Sequence, residues 1–209
     1  MEKTIFLFKK HPGRSRSDFA HHYINNHAPR GARLTRCLMG YTVNIVTQEG
    51  GPDAVTEHWV PAASDLLNPE KAYATSADFE AVLKDDRTLF DGFELYVVVE
   101  ETYPVPGGPL DVPPGTQTPE TKLIWLYPHA SRVPPPPSGA RRVVDNRVGY
   151  KLALVGEEVS AVATDIELIR MAWGPSIEAL GHNAAGAIVA REYPFIPAPR
   201  WRVDPEQAS

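Results

Sequence analysis

Two histidines spaced five residues apart, His22 and His27, are the strongest candidates for chemistry in this sequence. Imidazole groups titrate near neutral pH, so either side chain can accept or release a proton without a cofactor. A histidine pair on one wall of a pocket suits enolisation, dehydration or isomerisation, in which a proton leaves one atom and arrives at another. We therefore predict that His22 and His27 form a catalytic acid/base pair.

Six other residues are predicted to bind the substrate. They would lie opposite the histidines and supply an aromatic wall, together with hydrogen bonds to a carbonyl or phenol group. These residues are Tyr23, Tyr41, Asn44, Glu57, His58 and Trp59.

The histidines are predicted to lie on one short helix. Ser15 or Ser17 can cap its N-terminus, and Pro29 disfavours helical geometry at the residue before it, so the helix should end there. At ~100° per residue, His22 and His27 fall at the two edges of one stripe, above the surface on which the helix packs. The stripe itself consists of Phe19, Tyr23 and Asn26.

Composition limits the classes of partner. The chain has 209 residues, of which 43% are hydrophobic, and this is enough for a packed core. A net charge of −5, without a Lys/Arg cluster longer than two, argues against nucleic-acid binding. No basic amphipathic helix suits a membrane surface, and the apolar run at residues 5–8 is too short for a signal peptide or a membrane span. We predict a globular, cytoplasmic protein that binds neither nucleic acid nor membrane.

No cofactor or metal is predicted. His21 and His22 are adjacent and face apart on a helix, and no His, Cys or Asp pair recurs at zinc spacing. The sequence has no Gly-x-Gly-x-x-Gly, P-loop or Gly-x-Ser-x-Gly motif, which removes the common nucleotide-binding and serine-hydrolase interpretations. Because Cys37 is the one cysteine, an internal disulfide is excluded.

The elements that must position these residues follow the order βαββαβ in the first part of the chain. The first strand is apolar on both faces, which indicates a central strand covered on both sides. The second and third strands alternate in polarity, and a helix that Ser76 can cap runs to about residue 90. This order is that of a ferredoxin-like unit, an α+β fold. The strands are predicted at residues 4–8, 40–46, 54–60 and 94–100.

The rest of the chain repeats this unit in degenerate form. The repeated segments are residues 121–129 for 3–11, 148–155 for 39–46 and 165–169 for 55–59. Residues 104–120 contain six prolines without apolar periodicity, which indicates an extended linker. Where the first copy has the histidine helix, the second has four prolines at residues 134–137, which cannot form a helix interior. We therefore predict one site per chain, in the first copy.

Structural roles are the alternative for three candidate residues. A histidine at a helix end, such as His27, can bond a nearby loop carbonyl, and His58 can be a core histidine. Glu57 alternates with apolar Val55 and Trp59, which makes it either a functional buried carboxylate or a rim residue. Its echo at Glu167 in the degenerate copy favours a structural role.

We predict that the two ferredoxin-like βαββαβ repeats form an intramolecular pseudo-dimeric α+β barrel. A single unit leaves an apolar sheet face uncovered, and a second copy removes that exposure. The predicted divisions are residues 1–103, which carry the site, the linker 104–120, the second repeat 121–203 and a C-terminal tail 204–209. Association into a homodimer is compatible with this arrangement and is not required.

The pattern of a strand, a turn with Pro-Gly, and then Phe-x-x-His-Tyr-x-x-x-His-Ala-Pro at residues 19–29 resembles the EthD family of the dimeric α+β barrel superfamily. Residues 77–91 and 97–101 resemble that family's second helix and last strand, so the match covers residues 3–103. The superfamily includes cofactor-independent monooxygenases and cyclases for aromatic polyketides, muconolactone-type isomerases, and the EthD proteins, which are named for an accessory to ether degradation by a cytochrome P450 system. The resemblance implies this fold and does not choose among these chemistries.

The leading hypothesis is a cofactor-independent small-molecule enzyme of the lyase, dehydratase or isomerase type, acting on a hydrophobic cyclic or aromatic carbonyl compound. One alternative is a non-catalytic binding or accessory protein of a catabolic or oxygenase pathway, whose pocket binds without converting. A third option is a cofactor-free or haem-dependent monooxygenase, which predicts oxygen consumption or a Soret band.

Overall fold

A computed structural model of the chain describes residues 1–108, 111–155, 158–181 and 186–199, so the predicted tail at 204–209 lies outside the described residues. The strands are β1 (Glu2–Lys10), β2 (Gly40–Val46), β3 (Ala54–Val60), β4 (Phe90–Val105), β5 (Thr121–Tyr127), β6 (Arg142–Val155), β7 (Glu158–Val162), β8 (Leu168–Gly174) and β9 (Ile188–Ile196). The helices are α1 (Arg16–His22), α2 (Ala28–Leu34), α3 (Pro69–Ala72) and α4 (Ser76–Leu89). A π-helical turn (Tyr23–His27) joins α1 to α2, and short 3₁₀ turns lie at Ala63–Leu67 and Ala130–Arg132.

The strands form one antiparallel sheet that closes on itself. Its order is β4-β1-β3-β2-β9-β5-β8-β6, and β6 pairs back to β4, which gives an eight-stranded barrel with β7 added outside β6. The expected α+β class is therefore confirmed. β1 pairs with β3 on one side and β4 on the other, as its apolar faces predict. The strands before and after the Pro-rich segment follow the same order, β4-β1-β3-β2 and β9-β5-β8-β6.

Strand alternation divides the apolar residues between two cores. Ile5 and Leu7 of β1 point into the barrel, where they join one buried cluster, while Phe6 and Phe8 point outward beneath the helices and join another. Both faces of this sheet are thereby covered in the half that carries the helices. None of the helices in the described ranges is both long and apolar enough to cross a membrane.

The helical segment that carries the histidines is longer than predicted. It does not end before Pro29 but continues to Leu34, and Ala28 has helical dihedral angles of φ −64° and ψ −42°. The backbone N–H of Ala28 bonds to the carbonyl of Tyr23, five residues back, so the turn is wider than in an α-helix. Pro29 then lies in the first turn of α2, where a missing N–H is tolerated.

The part of the chain after the linker differs from the part before it at the four prolines, residues 134–137, between β5 and β6. Between β5 and β6, where every residue is described, the three-residue 3₁₀ turn Ala130–Arg132 is the only helical element, as the four prolines predict. β8 begins at Leu168, three residues after the first residue of the segment (165–169) that the sequence suggested as the echo of β3. β1 places Lys3 opposite Trp59, and β5 places Lys122 opposite Trp173. By this pairing Lys3 matches Lys122 and not Thr121, one residue later than the sequence comparison of 3–11 with 121–129 suggested.

This register corrects the interpretation of Glu57. By the same pairing Glu57 lies opposite Ile5, and its counterpart opposite Ile124 is Met171. Glu167 precedes β8 and is exposed, so it is not the equivalent of Glu57, and the argument drawn from that echo was wrong.

Glu57 lies inside the barrel between two lysines. Its Oε2 is 2.8 Å from Lys3 Nζ, and its Oε1 accepts a hydrogen bond from Lys122 Nζ. Lys3 also contacts Glu101 at 3.2 Å, and Lys122 contacts Glu192 at 3.0 Å. Burial alone would raise the pKa of Glu57, but the charges and hydrogen bonds of Lys122 and Lys3 outweigh it and hold that pKa well below its ordinary value. The carboxylate is therefore ionised and joins β3 to both β1 and β5.

We expect Glu57→Gln to lower the free energy of unfolding by about 3–5 kcal/mol at neutral pH, because it leaves two buried ammonium groups without their shared anion. Urea denaturation measures this change. Glu80→Gln, on the outer side of α4, is the matched control, since that exposed side chain should leave stability unchanged. Equal effects of the two substitutions would contradict the assignment.

Candidate active site

A cavity of about 340 Å³ lies between the helices and the outer face of the barrel. Its wall is largely aromatic and aliphatic, and includes Phe6, Phe8, Leu38, Tyr73, Phe90 and Phe93. A small number of polar side chains reach it, among them His27, Tyr41, His58 and Asp86. An apolar pocket with a few convergent polar groups is the usual form of a small-molecule site.

Asp85 of α4 holds both predicted catalytic histidines. Its Oδ1 is 2.7 Å from His22 Nε2, and its Oδ2 is 3.0 Å from His27 Nδ1 and 3.1 Å from Arg30 Nη1. The π-helical turn makes this possible. In a regular α-helix, His22 and His27 would be separated by ~140° around the helix axis, because they are five positions apart. A π-helical turn has more residues per turn, so it brings the two side chains to the same side of the segment.

Only one of the two histidines faces the cavity. His27 is buried and lines it, while His22 is absent from the lining and has a side chain that is 26% exposed. The structure therefore brings His22 and His27 together on one carboxylate, but it does not place both imidazoles on one wall of the pocket as the sequence suggested. His22 contacts Asp85 outside the cavity, and His27 contacts the same carboxylate from the cavity wall.

The two adjacent aspartates of α4 have opposite pKa shifts. Burial would raise the pKa of Asp85, but the hydrogen bonds from His27 and His22 outweigh it and lower that pKa well below its ordinary value. Burial raises the pKa of Asp86, an effect that the charge of His27 partly offsets and that the charge of Asp85 strengthens. Two carboxyls whose environments separate their proton affinities are a recurrent feature of acid/base sites.

The tautomer of His27 follows from these contacts. Because Asp85 is ionised, it can only accept, so the Nδ1 of a neutral His27 carries the proton. The free lone pair is then on Nε2, which lies 3.5 Å from Asp86 Oδ1. The rings of Tyr23 and Phe90 pack edge-on against the imidazole, with centroids 5.2 and 5.3 Å away. The imidazole of His27 is therefore held in one orientation at the cavity wall.

The six predicted substrate-binding residues divide between the two faces of the sheet. Tyr41 and His58 line the cavity with His27, and their rings stack with centroids 4.9 Å apart. Tyr23 lies under the helix, where its hydroxyl bonds to Thr56 Oγ1 at 2.8 Å, and burial raises its pKa.

The other three residues point into the barrel. Asn44 donates hydrogen bonds to the Val55 carbonyl and to Glu57 Oε1. Glu57 and Trp59 line a second cavity of about 400 Å³ inside the barrel, beside Lys3. The sequence pattern showed the alternation along β2 and β3, but residues from both faces were assigned to one site, and the sheet separates them.

Sequence reasoning missed Asp85 and Asp86. Asp85 is buried between Val82 and Leu89, three and four residues away on the same face of α4. The sequence did contain a signal for Asp85, since an acidic residue lies there within the apolar stripe of a predicted helix. An acidic side chain that is buried with such a stripe needs a polar partner on the element against which the helix packs. Within the described parts of the chain, no group of three His, Cys, Asp or Glu side chains could hold a metal ion.

Comparisons with known proteins bear on the fold alone. The sequence matches no protein-family model, and no curated protein matches it. The structure is similar to that of an anthrone oxidase-like protein, with a TM-score of 0.53 and 13% identity over 93% of each chain. It also resembles a variant of chlorite dismutase from Candidatus Nitrospira defluvii, with a TM-score of 0.40 and 11% identity over 93% of this chain and 92% of that one. The first similarity supports the dimeric α+β barrel type of fold, and the second is too weak to support an argument.

The lowered pKa of Asp85 predicts an acid-dependent loss of stability. Its stabilising contribution is full above the ordinary aspartate pKa of 3.8 and is lost as the pH falls toward its folded-state value. We expect Asp85→Asn to reduce the free energy of unfolding by about 1–3 kcal/mol at pH 7, and this difference from the wild type should shrink as the pH falls below 3.8.

Urea denaturation of both proteins across this pH range tests the expectation. Glu80→Gln, at an exposed position of the same helix, is the control and should follow the wild type throughout. A difference between Asp85→Asn and wild type that stays constant with pH would show that the carboxylate's charge is not the stabilising element.

Proposed function

We propose that the protein is an enzyme that moves a proton on a small, hydrophobic, cyclic or aromatic carbonyl compound. The chemistry is of the lyase, dehydratase or isomerase type, and His27 is the catalytic acid/base. One observation carries the proposal: the ionised Asp85 holds His27 Nδ1, while Nε2 is left at the wall of an aromatic cavity beside Asp86.

The proton movements follow from this arrangement. His27 Nε2 takes a proton from the carbon next to the substrate carbonyl, and the electron pair of that C–H bond moves onto the carbonyl oxygen to form an enolate. The imidazolium that results is paired with Asp85, which stabilises it. The enolate then takes the proton back at another atom, or expels a leaving hydroxide as water.

Asp86 suits the second proton position. Its raised pKa keeps a proton available nearer to neutral pH than an ordinary aspartate would, and it lies 3.5 Å from His27. It can protonate a leaving hydroxyl while His27 takes the carbon-bound proton. Phe8 and Phe90, stacked with centroids 4.2 Å apart, exclude water beside His27 and favour a ring-shaped substrate.

The same contacts support a second candidate, a binding or accessory protein that does not convert its ligand. Asp85 also bonds His22 and Arg30, so the cluster ties the histidine segment to α4 as a structural clamp would. In that case the cavity binds a hydrophobic compound without converting it, and the histidines only stabilise the structure of the cavity wall.

We also propose that the barrel is an internally duplicated member of the EthD type. Its repeats would be residues 1–103 and 121–203, joined by the linker 104–120. The common strand order of the two parts and the matching pairs of Lys3 with Trp59 and Lys122 with Trp173 support the duplication. One barrel then carries one histidine site.

We expect His27→Asn to lower the rate of proton abstraction about 10²–10⁴-fold, because the asparagine amide can replace Nδ1 on Asp85 but supplies no base. Exchange of the α-protons of 2-tetralone and other cyclic ketones in D₂O, followed by NMR, measures this rate and does not require the natural substrate. His22→Gln, which keeps a donor for Asp85, should change the rate less than tenfold.

Exchange by His27→Asn at the wild-type rate would contradict the catalytic role. Tight binding of these ketones by the wild type, without exchange or turnover, would instead favour the accessory alternative. Oxygen consumption with the same compounds would indicate a monooxygenase.

A further inference from the structure

His58 is a buried imidazole whose ring nitrogens have no partner within the described part of the chain. It lies on β3 in the wall of the cavity, with only 9% of its surface exposed. Tyr41 stacks on one face, and the ring of Phe6 meets it edge-on with centroids 5.0 Å apart. Among the described residues, neither ring nitrogen has a hydrogen-bond partner, and Nδ1 is fully enclosed. A structural core histidine would normally bond a neighbour, because an unmet buried polar group costs ~1–3 kcal/mol.

The imidazole of His58 is neutral over the physiological pH range. Burial and, after it, the charge of His27 lower its pKa to about 3, because the charge of Glu57 offsets only part of their effect. A neutral imidazole carries one proton, on either Nδ1 or Nε2. Enclosed N–H groups without an acceptor are rarer in proteins than enclosed lone pairs, so the proton belongs on Nε2 and the lone pair on Nδ1. Nε2 is the nitrogen that is not enclosed.

The other half of the barrel shows that the fold itself does not require this imidazole. His58 of β3 lies opposite Thr4 of β1 and Tyr41 of β2. In the other half, Ala172 of β8 lies opposite Leu123 of β5 and Val143 of β6. The stacked pair of Tyr41 and His58 therefore corresponds to Val143 and Ala172. These rings occur only in the half that also carries the histidine segment.

We propose that His58 Nε2–H donates a hydrogen bond to an oxygen of the bound molecule, and that the cavity therefore takes planar ring compounds with a carbonyl or phenolic oxygen. The inference rests on the proposed function for the nature of the ligand and assigns its orientation. When His27 removes a proton, negative charge moves onto that oxygen. A neutral donor stabilises the charge as it forms and keeps its own proton, so His58 orients the substrate and supports the enolate.

A pair of probes that differ only in one hydroxyl tests the proposal. 2-Naphthol and naphthalene have the same ring system, and both are small enough for a cavity of about 340 Å³. Calorimetric or fluorescence titration gives their affinities for the wild type, for His58→Phe, and for His21→Phe as an exposed control. We expect His58→Phe to weaken 2-naphthol binding about tenfold and naphthalene binding less than twofold, because phenylalanine keeps the ring stack and removes the donor.

Three outcomes would overturn the proposal: equal loss for both probes, no loss for either, or wild-type protein that binds 2-naphthol no more tightly than naphthalene. Long-range ¹H–¹⁵N NMR adds a test that needs no variant, since the proposal requires the Nε2-protonated tautomer and a shift of that nitrogen when 2-naphthol binds. The Nδ1-protonated tautomer would contradict it. These measurements report binding alone, so they remain decisive if His27 proves not to be a catalyst.

Discussion

The shared ion pairs of Glu57 with Lys3 and Lys122 are the constraint on which the rest of the structure depends. They fix the register of β3 from inside the barrel, because the carboxylate must point inward to meet both ammonium groups. Side chains alternate along a strand, so a shift of one residue would turn Glu57 toward the helices and His58 into the barrel. The interior charges thus determine which residues of β3 the cavity receives. The matching position in β8 is occupied by Met171, which carries no charge. Glu57 therefore pairs with the lysines of both β1 and β5.

A second carboxylate organises the outer face of the same sheet. Asp85 reaches His22, His27 and Arg30, which belong to three successive turns of one irregular helical segment. The π-helical turn and the aspartate depend on each other: the wider turn aligns the two imidazoles, and the carboxylate gives that alignment its stabilising contacts. One consequence is that the imidazole of His27 has a fixed tautomer. Another is that the neighbouring Asp86 lies 3.5 Å from His27 Nε2.

Local sequence patterns predicted much of the fold and less of the site. The limits of β2 and β3 follow from alternation between clear turns, and the proline run predicted the missing helix of the second half. Two errors had a common origin in long-range contacts. Pro29 does not end the helix because the π-helical turn, supported by a residue 58 positions away, changes the local hydrogen bonding. Glu167 looked equivalent to Glu57 until strand pairing, which no local pattern specifies, placed Met171, four residues later, at that position.

The candidate site residues were chosen from the sequence by the chemistry of their side chains. In the fold they lie on two opposite faces of the sheet. His27, Tyr41 and His58 meet at one cavity because helix and sheet bring their positions together. Asn44, Glu57 and Trp59 alternate with Tyr41 and His58 on the same two strands, yet they face the barrel interior. Asp85 and Asp86 were not predicted, because only their contacts with the histidines of a distant helical segment distinguish them from other acidic residues of α4.

Closure of the barrel within one chain also affects how the protein responds to dilution. The ladders of β2 with β9 and β4 with β6 join strands that are permanently tethered, so they form at an effective concentration set by the chain itself. A barrel assembled from two separate chains would open by mass action when its protein becomes scarce. Here the cavity and the charged interior behind it remain formed even in a cell that makes very few copies.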